Sequence, residues 1–103
     1  MTKSQKLEKL NNLKNEIRYL ATQQVINLDF LGANYIGSQP SVKAFFKLGI
    51  LAGYFDDMTK ENTFLDYFCD YDNKYNFNSH LERKKLYLDF SNYVIKFNPE
   101  KLA

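Results

Sequence analysis

The stretch LNNLKNEIRYL, residues 10–20, is the part of the chain from which we predict the fold. Its apolar residues recur at alternating steps of three and four positions: Leu10, Leu13, Ile17 and Leu20. This spacing places them on one stripe of an α-helix. Upstream, Thr2 and Gln5 have the spacing of a capping box, in which each side chain accepts a hydrogen bond from a free backbone N–H group. The pattern therefore predicts an amphipathic helix over residues 3–24.

A second helix follows after a change of pattern. Residues 25–31 are apolar and partly β-branched, and helix-breaking glycines come next, so we expect an irregular linker or one short strand here. Ser38 has the position of an N-cap, and Pro40 lies in the first turn, where its missing amide hydrogen costs little. Residues 42–54 are apolar almost all round, which predicts a helix at the buried centre of a bundle. In that helix Gly49 and Gly53 favour close packing.

A third helix is predicted from residues 56–59 to about residue 71. Asp56, Asp57 and Thr59 are candidate N-caps, because their side chains accept hydrogen bonds from free N–H groups. We expect three apolar residues of this helix to be buried: Phe64, Leu65 and Phe68.

Residues 79–97 allow two interpretations. Ser79 and Glu82 have capping-box spacing, and a polar stripe continues to Lys96 at helical steps, which predicts a fourth helix. Alternation of apolar residues over 85–97 would instead suit a hairpin and an α+β fold. Because the polar stripe is continuous, we favour an all-α bundle of about four helices, one irregular linker and a single domain, 1–103.

Composition excludes several classes of protein. With 103 residues and 45% hydrophobic content, one domain can bury a core of its own. The net charge of +2 is too small to argue for nucleic-acid or membrane binding. Cys69 is the only cysteine, so no disulfide forms within the chain, and a reducing compartment is favoured. Neither a secretory signal nor a membrane span is recognisable, and we expect a cytoplasmic protein.

No motif for catalysis, metal binding or cofactor binding is recognisable. The polar stretch 70–78 has oxygen-bearing residues at alternate positions, as a calcium loop does. However, Tyr75 replaces the glycine that such a loop requires, and Leu81 replaces its bidentate glutamate. One cysteine and one histidine cannot form a structural zinc site, and the glycines match no phosphate-binding loop. We therefore predict a protein that is not an enzyme and needs no cofactor.

The remaining signal is an acidic, tyrosine-rich segment. Its candidate binding residues are Asp66, Tyr67, Asp70, Tyr71 and Asp72. Carboxylates can replace phosphates, and tyrosine rings can replace bases, on the basic surface of an enzyme that processes nucleic acids. In size and composition, though in no motif, the chain resembles small accessory proteins of phages and mobile elements, anti-CRISPR proteins among them. That resemblance implies a protein that inhibits a host enzyme of this class.

A nucleic-acid-binding module is the alternative function. The segment with Lys43 and Lys47 loosely resembles a helix-turn-helix, and the basic triplet Arg83, Lys84 and Lys85 could bind phosphates. This alternative is disfavoured, because so apolar a recognition helix leaves few polar side chains to read base edges.

The apolar stripe of the first helix also resembles a short heptad seam. Two copies of the chain could pair through Leu10, Leu13, Ile17 and Leu20. Internal packing is favoured, because two heptads are few for a stable coiled coil.

Overall fold

The fold is all-α, as predicted, in a computed structural model that describes residues 1–69, 75 and 79–102. Its helices are α1 (Lys3–Leu31), α2 (Ala33–Ile36), α3 (Gln39–Thr59) and α4 (His80–Lys96), with a π-helical turn (Leu65–Cys69) and a 3₁₀ turn (Pro99–Lys101). The described residues contain no strand, and α4 has no break between its ends. The hairpin alternative at 85–97 is therefore wrong.

The predicted start of α1 is confirmed, but its predicted end is wrong. The N–H of Gln5 donates to Thr2 Oγ1 at 3.1 Å, and the N–H of Thr2 donates to Gln5 Oε1 at 2.8 Å. No linker or strand occupies residues 25–31, because α1 continues to Leu31. The buried stripe continues with it through Leu28, so tertiary packing stabilises a β-branched stretch as helix.

A tight turn carries the chain from α1 to α3. Gly32 ends α1 with a φ of 65°, and its N–H donates to the carbonyl of Leu28. The hydroxyl of Tyr35 in α2 donates to Gln24 Oε1 at 2.6 Å, which holds the turn against α1. Ser38 caps α3 as predicted, accepting from the N–H of Ser41, and Pro40 lies in the first turn.

Helix α3 is longer than predicted and includes the carboxylates that were expected to start the next helix. It ends at Thr59, and Lys60 follows in the left-handed conformation with a φ of 61°. No helix begins at Asp56, Asp57 or Thr59. The prediction that one of them is the N-cap at the start of the next helix is therefore wrong. The next helical turn buries Phe68 as expected, whereas Phe64 and Leu65 are exposed.

The three long helices share one apolar core, in which α1 packs against both α3 and α4. Edge-to-face rings connect the elements at centroid distances of 5.0 Å for Phe68 and Phe90 and 5.4 Å for Phe55 and Phe97. Lys14 of α1 donates to the carbonyl of Phe97 at 2.9 Å, just beyond the C-terminus of α4. The helix dipole places partial negative charge at that end, which attracts the ammonium group and offsets part of the cost of its burial.

The apolar stripe of α1 packs inside the chain. Leu10 and Ile17 are fully buried, Leu13 is buried, and Leu20 is half-buried against the core. Pairing of two copies through this stripe would expose the core of each copy. Internal packing of this stripe, which was favoured over pairing of two copies, is therefore the arrangement found.

Candidate functional site

The structure describes only part of the acidic segment. Asp66 is exposed, and Tyr67 is half-buried with its ring 5.8 Å from that of Phe90. Asp70, Tyr71 and Asp72 lie outside the described residues. The acidic binding patch therefore stays a prediction from the sequence.

The half-burial of Tyr67 raises the pKa of its hydroxyl. Loss of solvent raises the pKa of this phenol, and the negative charges of Asp89 and Asp66 raise it further. Tyr67 therefore stays protonated at neutral pH and can act as a hydrogen-bond donor at the edge of the core.

The basic triplet at the start of α4 does not form one phosphate-binding surface. Arg83 is only 3% exposed; its guanidinium lies 4.8 Å from the ring centroid of Phe45 and donates to the Tyr87 hydroxyl at 3.4 Å. Lys84 forms an ion pair with Asp29 at 2.7 Å, and Lys85 alone of the triplet is exposed. Consecutive helical residues point about 100° apart, so the three charges face different surroundings.

The main unexpected feature is an exposed apolar face on α3, which was predicted to be buried all round. Four large apolar side chains are 43%, 65%, 55% and 57% exposed: Val42, Phe46, Ile50 and Tyr54. They recur every four residues and so lie along one side of the helix. The opposite side packs into the core through Leu48, Leu51 and Phe55. We call these four exposed residues the α3 face.

The α3 face forms one wall of a groove of 820 Å³ beside α1. Leu13 and Leu51, both buried, contribute to its lining. Five charged residues also line it: Lys9, Glu16, Lys43, Lys47 and Asp57. A smaller cavity of 470 Å³ shares Val42 and Phe46 with this groove, so the apolar surface continues toward α2.

Charges of both signs are distributed along the groove. Lys47 and Glu16 form an ion pair at 3.7 Å between α3 and α1. Lys43 lies near the start of α3 and Asp57 near its end, and both are exposed. Neither forms an ion pair within the part of the chain that the structure describes.

The two glycines of α3 have different surroundings. A Cβ atom at Gly49 would lie 3.4 Å from the ring of Phe64 and 3.8 Å from that of Phe68, which are ordinary van der Waals distances, so the two rings pack against the helix here without requiring a glycine. A Cβ atom at Gly53 would meet no atom within 4 Å. The close packing expected at Gly53 is therefore absent within the described chain.

The described part of the chain brings no group of metal-binding side chains together. Across residues 1–69, 75 and 79–102, no three His, Cys, Asp or Glu side chains lie together as metal ligands would. Cys69 is exposed, and His80 is half-buried at the first position of α4. Among the described helices, none combines the length and the apolar character needed to cross a membrane.

Fold and groove together define a small all-α protein in which no element of the described residues covers the α3 face. No protein-family model, curated protein or solved structure matches this chain.

The groove was not predicted from the sequence, although a signal for it was present. Residues 42–54 carry apolar side chains on two sides of one helix. A bundle with few long helices has neighbours for only one of those sides, so the other side is left exposed. Which side that is depends on how α1 and α3 pack.

Proposed function

We propose that this chain is a non-enzymatic protein-binding protein, and that the groove between α1 and α3 receives an apolar helix. The observation that supports this function is the exposure of the α3 face. Binding of a helix in an apolar groove is a common mode of protein recognition, with anchor residues one turn apart. The four-residue spacing of the α3 face matches a helical occupant that packs ridge against groove.

The exposed rings are large enough to contribute useful binding energy. Phe46 and Tyr54 are each more than half exposed, which corresponds to roughly 100 Å² or more per ring. At about 25 cal/mol per Å², covering both rings would contribute about 5 kcal/mol. Association itself costs about 4–15 kcal/mol, so the rest of the groove must contribute as well.

The charges around the groove favour a protein over a nucleic acid. A polyanion binds best to a surface of one positive sign, because each phosphate contact adds to the same electrostatic attraction. Here Glu16 and Asp57 lie among the lysines. Mixed charges around an apolar centre are typical of protein interfaces, whose rims are polar.

A display library of helical peptides, selected on the immobilised chain, tests this function. We expect enriched peptides to share apolar residues at steps of three and four positions. Their binding should be lost in Phe46→Lys and kept in Leu88→Lys, because Leu88 is 44% exposed on α4 and lies outside the groove. Circular dichroism would verify that both variants remain helical.

Two results would count against the proposed function. One is a selection that enriches no common apolar pattern. The other is binding that Phe46→Lys leaves unchanged, since that result would place the binding surface elsewhere.

A further inference from the structure

We infer that the helix received by the groove is α3 of a second copy of this chain, and that the two α3 helices pair antiparallel about Ile50. The inference rests on the proposed function, in which the groove binds an apolar helix. It adds the identity of the occupant.

The exposed side of α3 carries a symmetric pattern. Steps of three, four, four and three residues separate five side chains, which we call the symmetric stripe: Lys43, Phe46, Ile50, Tyr54 and Asp57. At 3.6 residues per turn, all of them point within about 40° of the direction of Ile50. All five are exposed. The stripe therefore has the same spacing when it is followed in either direction from Ile50.

A two-fold axis through Ile50 would bring unlike ends of the stripe together. Self-complementary patches of this kind form the isologous interface of a symmetric dimer. Ile50 would contact Ile50 of the second copy, and Phe46 would lie opposite Tyr54 of that copy. Apolar side chains would then occupy the centre of the contact.

Charge determines the direction of pairing. In the antiparallel arrangement, Lys43 of each copy lies opposite Asp57 of the other. A parallel arrangement would place Lys43 against Lys43 and Asp57 against Asp57, and like charges in contact oppose association. Neither side chain has an ion-pair partner within the described chain, so both are available for this contact.

Gly53 supplies an independent observation. It lies beside the symmetric stripe in the middle of α3, where glycine weakens a helix relative to alanine. A Cβ atom there would contact nothing within 4 Å, so packing within the described chain does not require a glycine. In the antiparallel pair, the ring of Phe46 from the second copy would lie near this position, because it is on the same flank of the stripe and at about the same height. Close approach of that side chain accounts for the glycine.

Sedimentation velocity over micromolar to millimolar concentrations tests the inference. We expect the unmodified chain to dimerise reversibly and weakly, because the symmetric stripe supplies five side chains per copy and a standard interface has about 20–30 residues per partner. Ile50→Lys places two positive charges at the axis and should raise the dissociation constant by about tenfold or more. Leu88→Lys, on α4, should leave the dissociation constant unchanged.

A charge exchange tests the antiparallel direction. Lys43→Glu and Asp57→Lys should each weaken the dimer, because each creates a pair of like charges. The double variant should restore the dimer, since its charges again face opposite ones. Circular dichroism of each variant separates loss of pairing from loss of folding.

Cysteine pairing gives a second measurement if a charge variant fails to fold. In a Cys69→Ser background, oxidation of a mixture of Phe46→Cys and Tyr54→Cys chains should give mainly the mixed dimer. Predominance of Phe46→Cys chains crosslinked to each other would overturn the antiparallel pairing.

The outcomes separate this inference from the proposed function. A chain that stays monomeric at every concentration overturns the inference. Selected helical peptides that still bind the groove would then leave the proposed function standing. A dimer that Ile50→Lys does not affect has its interface elsewhere, and it also overturns the inference. If the peptides fail as well, both proposals are wrong.

Discussion

At the scale of single residues, two neighbouring carboxylates have different roles. Asp56 Oδ1 accepts from the backbone N–H of Thr63 at 2.8 Å, and Asp56 Oδ2 accepts from that of Phe64 at 2.7 Å. The hydroxyl of Thr63 also donates to Asp56. Asp56 thus caps the next helical turn from within α3, whereas Asp57 is exposed beside the groove. The expectation that Asp56 caps a helix was sound in chemistry and wrong in position.

Replacing Asp56 should destabilise the fold more than replacing Asp57. We expect Asp56→Ala to lower the free energy of unfolding by about 1–3 kcal/mol, because two backbone N–H groups lose their acceptor and the buried Thr63 hydroxyl keeps only the carbonyl of Ala52, at 3.5 Å. Asp57→Ala, the matched control, should change it by less than about 0.5 kcal/mol. Urea denaturation of dilute, monomeric samples measures both. Equal losses in the two variants would contradict the capping role.

At the scale of elements, Gly32 sets the angle between α1 and the turn that leads to α3. Its φ of 65° and ψ of −151° belong to a region that is open essentially to glycine alone. Gly37, at the other end of α2, has ordinary helical angles, and no atom of the described residues lies within 4 Å of its Cβ position. Because the turn places α3 beside α1, the conformation of Gly32 also positions the groove.

Alanine substitution should distinguish the two glycines of this turn. Gly32→Ala should lower the free energy of unfolding by about 1–3 kcal/mol, because alanine is strained in that conformation. Gly37→Ala should be neutral or slightly stabilising, since it only restricts the unfolded chain. Thermal unfolding followed by circular dichroism measures both variants. An unchanged melting temperature for Gly32→Ala would show that the turn adapts without strain.

At the scale of the whole molecule, two tyrosines donate hydrogen bonds to carboxylates that are distant in sequence. Tyr93 donates to Glu61 at 2.7 Å, and Tyr75 donates to Asp89 at 3.0 Å. Burial, and then the hydrogen bond to Glu61, raises the pKa of Tyr93 to about 12. Burial and the hydrogen bond to Asp89 raise the pKa of Tyr75 well above its usual range. Both phenols therefore keep their protons in the folded state at a pH where the unfolded chain releases them.

These raised pKa values make the fold less stable in alkali. Their contribution to stability is complete below about pH 10, the unfolded pKa of tyrosine, and is lost as the pH rises through the folded values. We expect the free energy of unfolding to fall less steeply above pH 10 in Tyr93→Phe and Tyr75→Phe than in the unmodified chain. Tyr19→Phe, at an exposed tyrosine, is the matched control for the substitution itself.

Comparison with the unmodified chain is essential in the alkaline experiment. Burial lowers the pKa of Lys14, and this shift acts in the opposite direction, since stability rises as that lysine loses its proton. Each phenylalanine variant retains Lys14. The difference between its curve of unfolding free energy against pH and that of the unmodified chain therefore reports the contribution of the replaced tyrosine. If the free energy of unfolding falls with the same slope above pH 10 in all these chains, the hydrogen bonds of Tyr93 to Glu61 and of Tyr75 to Asp89 are contradicted.

The sequence by itself determined the helical class and the starts of the long helices. Thr2, Ser38 and Ser79 are the N-caps of α1, α3 and α4, as their spacing predicts. These features were predictable because a cap and an apolar stripe depend on residues a few positions apart. For the same local reason, the polar stripe of α4 correctly favoured a helix over a hairpin.

Tertiary structure alone decided which of these helical surfaces are covered. It extended α1 through residues predicted as a linker, buried Arg83 against Phe45, and left the α3 face exposed. Of the predicted acidic patch, only Asp66 and Tyr67 lie within the described residues. Burial depends on contacts between residues far apart in the chain, and periodicity within one helix does not specify which neighbour will cover each side.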